Sequence, residues 1–273
     1  MEKFFIQLKR DPTVRLSCTY FGEAKRFSPK DTLIVFINGI DSPQSLFHPV
    51  IKILSKIHRA PSLPPMLTYD RPGQGLSTRN QDIVQGRPNG HGRGCLDAAH
   101  DLKDLITQVA GSHLGVLNGD INNVRIVLVG DSVGCAIARL YAQEYQRTVI
   151  GLLLLDSSIA NSDIVSIFPD PKSPGFLEKD LPRGVTAELC EDARKKFRLW
   201  DPNSPSREGL WRGNLPDLLP LADAPKLEGP RLGTPCVTVV KHDPEVLIGQ
   251  VCQVRYYFQS HGKDAHPKFF ARR

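Results

Sequence analysis

The sequence predicts an α/β protein built on a mostly parallel, doubly wound sheet with an inserted lid region. Three observations predict it. Short apolar runs alternate with stretches of helical period along most of the chain. Those runs are continuous, as in strands covered on both faces, rather than alternating polar and apolar. A proline-rich interval, 157–234, then breaks the alternation and ends where another apolar run begins. With 273 residues, of which 40% are hydrophobic, the chain can bury a core of that size.

The elements follow in order. "KFFIQL" and "TVRLSCTYF" predict two short strands joined by a turn at Asp11-Pro12. "DTLIVFINGI" predicts a buried strand closed by Asn-Gly. From about 45 to 59, Leu46, Val50, Ile53, Leu54 and Ile57 recur at helical spacing. "PPMLTYD" is a further short strand, stopped by Arg71-Pro72-Gly73. An amphipathic helix over 97–109 carries Leu102, Leu105, Ile106 and Val109 on one side. A strand over 124–129, a helix from 133 to about 145 and the strand "VIGLLLLD" come next. The interrupting interval holds one clear helix, about 185–199, and "PCVTVVKHDPE" restores a strand. The expected organisation is a core of 1–156 and 235–273, with 157–234 as a lid over the C-terminal edge of the sheet.

Bulk properties narrow the function. The formal charge is +6, and most of that excess lies in the last twenty residues, where Arg255, Lys263, Lys268, Arg272 and Arg273 face only Asp264. With no nucleic-acid signature beside it, this reads as a solvated tail, so no nucleic-acid partner is expected. The opening "MEKFFIQLKRD" is too short and interrupted for a secretory signal, and no run approaches the ~18–20 apolar residues of a membrane span. The six cysteines are scattered, with no C-x-x-C pair and no metal-ligand spacing. Reduced thiols in a cytoplasmic protein are the expectation.

The chemistry concentrates in "VRIVLVGDSVGCAIARLYAQEY". Here G-x-S-x-G separates a buried strand from a helix, which is the context of a nucleophile elbow. The turn holds Ser132 in a strained backbone conformation that Gly130 and Gly134 make possible. The hydroxyl then projects above the sheet edge. The N–H of Val133, at the start of the new helix, is one expected donor to a developing oxyanion. The second is expected from the loop after an earlier strand: in "VFINGI", Gly39 permits close backbone approach and the N–H of Ile40 is the candidate. A plain Gly-Ser turn and an ordinary Asn-Gly turn are the bland alternatives.

In these residues the chain resembles the α/β-hydrolase superfamily. The matching pieces are "LIVFINGI", the D-x-P-G-x-G-x-S turn of "TYDRPGQGLS", the elbow "VGDSVG" and "TVVKHDPE". "GLLLLDSSIANSDIVSIFPDP" and "DLLPLADAPKLEGPRLGTPCVTVVKHDPE" look closest to fungal intracellular members. The resemblance implies a Ser–acid–His triad in that chain order. Asp243 fits the usual place of the acid, and Asp156 ends the strand after the elbow, where some members carry theirs. For the base, His261 follows a strand candidate at 254–258 and is the first choice; His266 is the second, and a C-terminus with no competent histidine is the third outcome.

The expected activity is hydrolysis of an ester-like acyl bond in a small, apolar substrate, with no cofactor and no metal. "GHGRG" and "PGQGLST" lack Rossmann spacing, so no dinucleotide is expected. Phe168, Phe176, Leu199, Trp200 and Trp211 either line an apolar pocket or pack the lid onto the core. The rival from another class is a catalytically inactive protein of this fold that binds a small molecule or a partner.

Overall fold

The computed structural model describes residues 1–22, 32–58, 63–79, 92–117, 120–157, 169–181, 185–198, 206–221, 223–230 and 233–241. The chain divides into two compact units, Met1–Asn161 with Pro205–Lys241, and Ser162–Ser204 with His242–Arg273.

The first unit is organised by a seven-stranded sheet. Its strands are β1 (Glu2–Gln7), β2 (Arg15–Phe21), β3 (Thr32–Ile37), β4 (Met66–Tyr69), β5 (Arg125–Asp131), β6 (Val149–Leu155) and β7 (Cys236–Val240), in the spatial order β1-β2-β4-β3-β5-β6-β7. β1 pairs antiparallel with β2, and β2 antiparallel with β4; every other pairing is parallel. The mixed, mostly parallel sheet is the one the continuous apolar runs predict.

Side-chain alternation divides the core in two. On one face, Leu33, Val35 and Ile37 of β3 and Ile126 and Leu128 of β5 join the main cluster. That face is covered by α2 (Cys95–His113) and α3 (Val133–Glu144). Leu102, Leu105, Ile106 and Val109 of α2 are all fully buried there, as their spacing predicts. On the other face, Phe36 and Val129 pack with Phe47 and Ile51, against α1 (His48–Ile57). In β6 a register shift between Ile126 and Val127 of its partner leaves Ile150 as an extra residue. Val149 therefore shares a face with Leu152 and Leu154 despite the odd spacing.

In α1 the apolar stripe at helical spacing faces outward. Leu46, Val50, Ile53 and Ile57 are exposed, while Phe47 and Ile51 are buried with Leu54 packed beside them. Two stripes one position apart compete here, and only the shorter one meets the sheet.

α2 begins with the Asp97 carboxylate accepting the Gly94 N–H at 2.9 Å. One turn on, the buried Asp101 carboxylate meets Arg93 Nε at 2.6 Å and Arg10 Nη1 at 3.1 Å. Burial outweighs both cations and lifts the Asp101 pKa to about 6. A short helix, α5 (Leu215–Leu218), also belongs to the first unit, and the nearby Leu210 and Leu219 are buried in its main cluster.

In the second unit, α4 (Ala187–Arg198) buries Cys190 and Ala193, and Glu178 accepts the Ala187 N–H at its start at 2.9 Å. Arg194–Asp170 and Lys172–Glu191 pairs brace it at 3.0 and 2.8 Å. Among the described residues, no helix is long and apolar enough to cross a membrane.

Candidate active site

Sheet order and register choose the place. After β3 the chain steps to β4 on one side and later returns to β5 on the other, so the strand order reverses at the β3–β5 pair. Crevices at the C-terminal ends of such strands are where open α/β sheets bind ligands. β3 and β5 run in register from Thr32↔Arg125 to Ile37↔Gly130. The chain leaving β3 at Asn38-Gly39-Ile40 and the chain leaving β5 at Ser132 therefore emerge side by side.

The turn after β5 is tight and strained. Ser132 has φ 52° and ψ −118°, a region that side-chain-bearing residues rarely occupy. Its N–H donates to the Leu155 carbonyl at 2.9 Å, which ties the corner to the end of β6. Both flanking glycines are forced by packing. A Cβ on Gly134 would lie 2.2 Å from the Ile37 carbonyl oxygen, and one on Gly130 would lie 2.7 Å from the Cys135 backbone. As the N-cap of α3, Ser132 makes no capping bond with its side chain. Its hydroxyl is thus not spent on the helix end it introduces. Val133 is the first residue of α3, so its N–H has no acceptor within the helix. The Cys135 thiol donates to the carbonyls of Gly130 and Leu155 at 3.2 and 3.3 Å, and burial pushes its pKa up to about 12. It packs the corner and stays a thiol.

The loop after β3 reaches this corner. A Cβ on Gly39 would fall 3.5 Å from Ser132 Cβ and 2.6 Å from the carboxylate tip of Asp131, so the backbone of this loop lies directly beside the elbow. Ile40, half-buried, packs its side chain on the main core. Asp41 follows in the left-handed region at φ 54°.

Residues that the motif reading leaves without a role hold this loop. Arg71, fully buried, donates from Nη1 to the Asn38 carbonyl at 2.6 Å and from Nη2 to the Gly39 carbonyl at 2.8 Å. Gln74 donates to the same Gly39 carbonyl at 3.0 Å. Arg71 is gripped by the buried Glu208 through Nη2–Oε1 at 2.9 Å and Nε–Oε2 at 3.2 Å. Burial alone would lower the arginine pKa; the Glu208 carboxylate more than offsets it, and the pKa is raised. An arginine in "DRPGQG" between apolar segments is a visible signal. Glu208, 137 positions further on, has none.

Asp156, the alternative acid, is half-buried at the C-terminal end of β6, with φ 48°, and its N–H donates to the Val240 carbonyl at 2.8 Å. Since Leu155 accepts from Ser132, Asp156 stands next to the elbow. Asp243, His261 and His266 lie outside the described residues, as do Phe168, Leu199 and Trp200. Trp211 runs beside the start of α2, its N–H donating to the Arg93 carbonyl at 2.9 Å. Phe176 belongs to the second unit. At the opposite, N-terminal edge of the sheet, an open cleft of about 540 Å³ is lined by polar groups including Lys103, Asp120, Gln143 and Thr148. Among the described residues, no three His, Cys, Asp or Glu side chains converge as a metal site requires.

A family model described as "Alpha/beta hydrolase family" matches residues 34–271. The chain belongs to the α/β-hydrolase family. No curated protein matches this member in sequence. Among solved structures, it is similar to a thermophilic esterase from Thermogutta terrifontis, at 15% identity and a TM-score of 0.47, covering 95% of this chain and 99% of that one. It is also similar to a structure from a study of carboxylesterases of Nitrososphaera gargenis, at 15% identity and TM-score 0.45, over 94% and 96% of the two chains. Against a deformylase from Pseudomonas putida S16 the identity is 20% and the TM-score 0.38, over 72% of this chain and 57% of that one. The α/β-hydrolase chain thus spans little more than half of the deformylase.

Proposed function

We propose that the protein is a serine hydrolase that cleaves an ester-like acyl bond of a small, apolar substrate. The observation that carries this reading is the backbone of Ser132, held at φ 52° and ψ −118° beside the Gly39 loop at the point where the strand order reverses. In this reading Ser132 Oγ attacks the carbonyl carbon while His261 takes its proton, and Asp243 orients the imidazole and stabilises its charged form. Asp156, beside the elbow, is the alternative acid. The N–H groups of Val133 and Ile40 receive the oxyanion. His261 then gives its proton to the leaving alcohol, and water, activated by the same ring, releases the acyl group. Of the interval 157–234, the part that belongs to the second unit, 162–204, acts as the lid that selects the substrate. Kinship with fungal intracellular members and a cytoplasmic setting belong to the same reading, motivated by the sequence likeness and the scattered cysteines.

A fluorophosphonate probe tests it directly. Labelling of the full chain is expected at Ser132, lost in Ser132→Ala, and accompanied by turnover of a short p-nitrophenyl ester. Loss of the nucleophile is expected to lower that turnover by about 10⁴-fold or more. His261→Ala with undiminished labelling would move the base to His266 or elsewhere. A folded wild-type protein that takes no label would make this a binding protein on a hydrolase scaffold.

A further inference from the structure

The Asn38 and Gly39 carbonyls are both fixed from one side. Arg71 donates to each, at 2.6 and 2.8 Å, and Gln74 adds a second bond to Gly39 at 3.0 Å. Gln74 is itself set, since its Oε1 accepts from the Arg71 N–H at 3.1 Å. The only cis peptide among the described residues is Ala224-Pro225, so the Gly39-Ile40 peptide is trans. In a trans peptide the C=O and N–H point in opposite directions. Pinning the Gly39 carbonyl on the Arg71 side therefore turns the Ile40 N–H away from Arg71. The loop cannot relax at its far end either. Asp41 donates its N–H to Glu208 Oε1 at 3.2 Å, and its carboxylate accepts from the N–H groups of Arg207 and Glu208 at 3.2 and 2.8 Å. One carboxylate, Glu208, thus holds both the guanidinium that fixes the peptide and the residue that follows it.

We propose that Arg71, anchored by Glu208, is a positioning residue that sets the direction of the Ile40 N–H and so tunes the oxyanion hole without touching substrate. The consequence for rate rests on the serine-hydrolase reading above; the orientation of the peptide does not. A methionine at position 71 fills similar space but offers the two carbonyls no donor. Lysine keeps the charge for Glu208 and can serve one carbonyl, not both in a fixed plane. The effect should fall on the chemical step, because an oxyanion forms only as Ser132 attacks.

The test compares wild type, Arg71→Met, Arg71→Lys and Glu208→Gln in the full chain. Each is checked for folding by near-UV circular dichroism, then labelled with a fluorophosphonate to separate the maximal rate from the half-saturating concentration. For Arg71→Met the maximal labelling rate is expected to drop at least about tenfold, towards the ~10²–10³-fold that follows loss of one oxyanion donor. The half-saturating concentration should stay within about twofold, and crystal structures should show the 39–40 peptide rotated. Arg71→Lys should restore part of the rate, and Glu208→Gln should fall between wild type and Arg71→Met. Where Arg71→Met does not fold, the other two variants decide, and unchanged rates in both overturn the proposal. A folded Arg71→Met with an unaltered rate, or with the peptide unmoved, also overturns it. If wild type itself takes no label at Ser132, the hydrolase reading fails separately; a rotated peptide in the variants then still supports the positioning role, and an unrotated one refutes it.

Discussion

The backbone of Ser132 stands in a region whose occupancy costs about 1–3 kcal/mol, and such a residue persists only where its neighbours leave it no alternative. Here the Leu155 carbonyl holds its N–H, and the two glycines admit β3 and α3 at distances no side chain would allow. Gly134→Ala is accordingly expected to destabilise the protein by about 1–3 kcal/mol, since the new methyl meets the Ile37 carbonyl, a backbone atom that cannot swing aside. Urea unfolding measures it, and an unchanged midpoint would contradict the packing. This corner was legible because its determinants are contiguous: strand, G-x-S-x-G and helix sit within twenty-odd residues. The approach of the Asn38-Gly39-Ile40 loop to this corner was legible for a similar reason, as an Asn-Gly that ends a strand. Arg71 stands out in "DRPGQG", but its pairing with Glu208 was not legible, because a buried ion pair is invisible until both partners are in space.

Periodicity finds a helix more surely than it finds the helix's inner face. In α2 the two coincide, because Leu102, Leu105, Ile106 and Val109 form the dominant apolar stripe. In α1 both sides are apolar, and the sheet takes Phe47 and Ile51, leaving Leu46, Val50, Ile53 and Ile57 outside. Ile51→Ala should therefore cost about 2–5 kcal/mol, as a fully buried side chain removed from a packed site. Ile53→Ser, on the exposed stripe, should change stability by no more than about 0.5 kcal/mol. Thermal unfolding of the pair settles the orientation of α1; a larger loss from Ile53→Ser than from Ile51→Ala would mean that the helix is turned the other way. The same limit explains β6, whose extra residue at Ile150 shifts the inward set by one position, a displacement that an unbroken apolar run conceals.

At the scale of the molecule, α2 is joined to the first β-hairpin by charge, with Asp101 between Arg10 and Arg93 and Arg93 also paired to Asp11. In the unfolded chain Asp101 titrates near 3.8, and in the fold near 6. Between those values the folded state holds the extra proton, so this group's contribution to stability falls as pH rises through that window, by at most about 1.4 kcal/mol per pH unit. Asp101→Asn should flatten the stability profile there by that amount, read as the difference in urea midpoints across the window; parallel profiles would refute it. The sheet itself was readable from beginning to end of its described strands, because each strand is a short local run. What joins distant parts, such as the 137 positions between Arg71 and Glu208, was not. That separation has a temporal meaning. During synthesis the elbow and β3 precede residue 208, so any fold taken up before then lacks the carboxylate that compensates Arg71 and holds Asp41. The fixing of this corner is therefore a late event for the growing polypeptide, and a chain stalled before residue 208 would hold Ser132 without the ion pair that steadies the Gly39 loop.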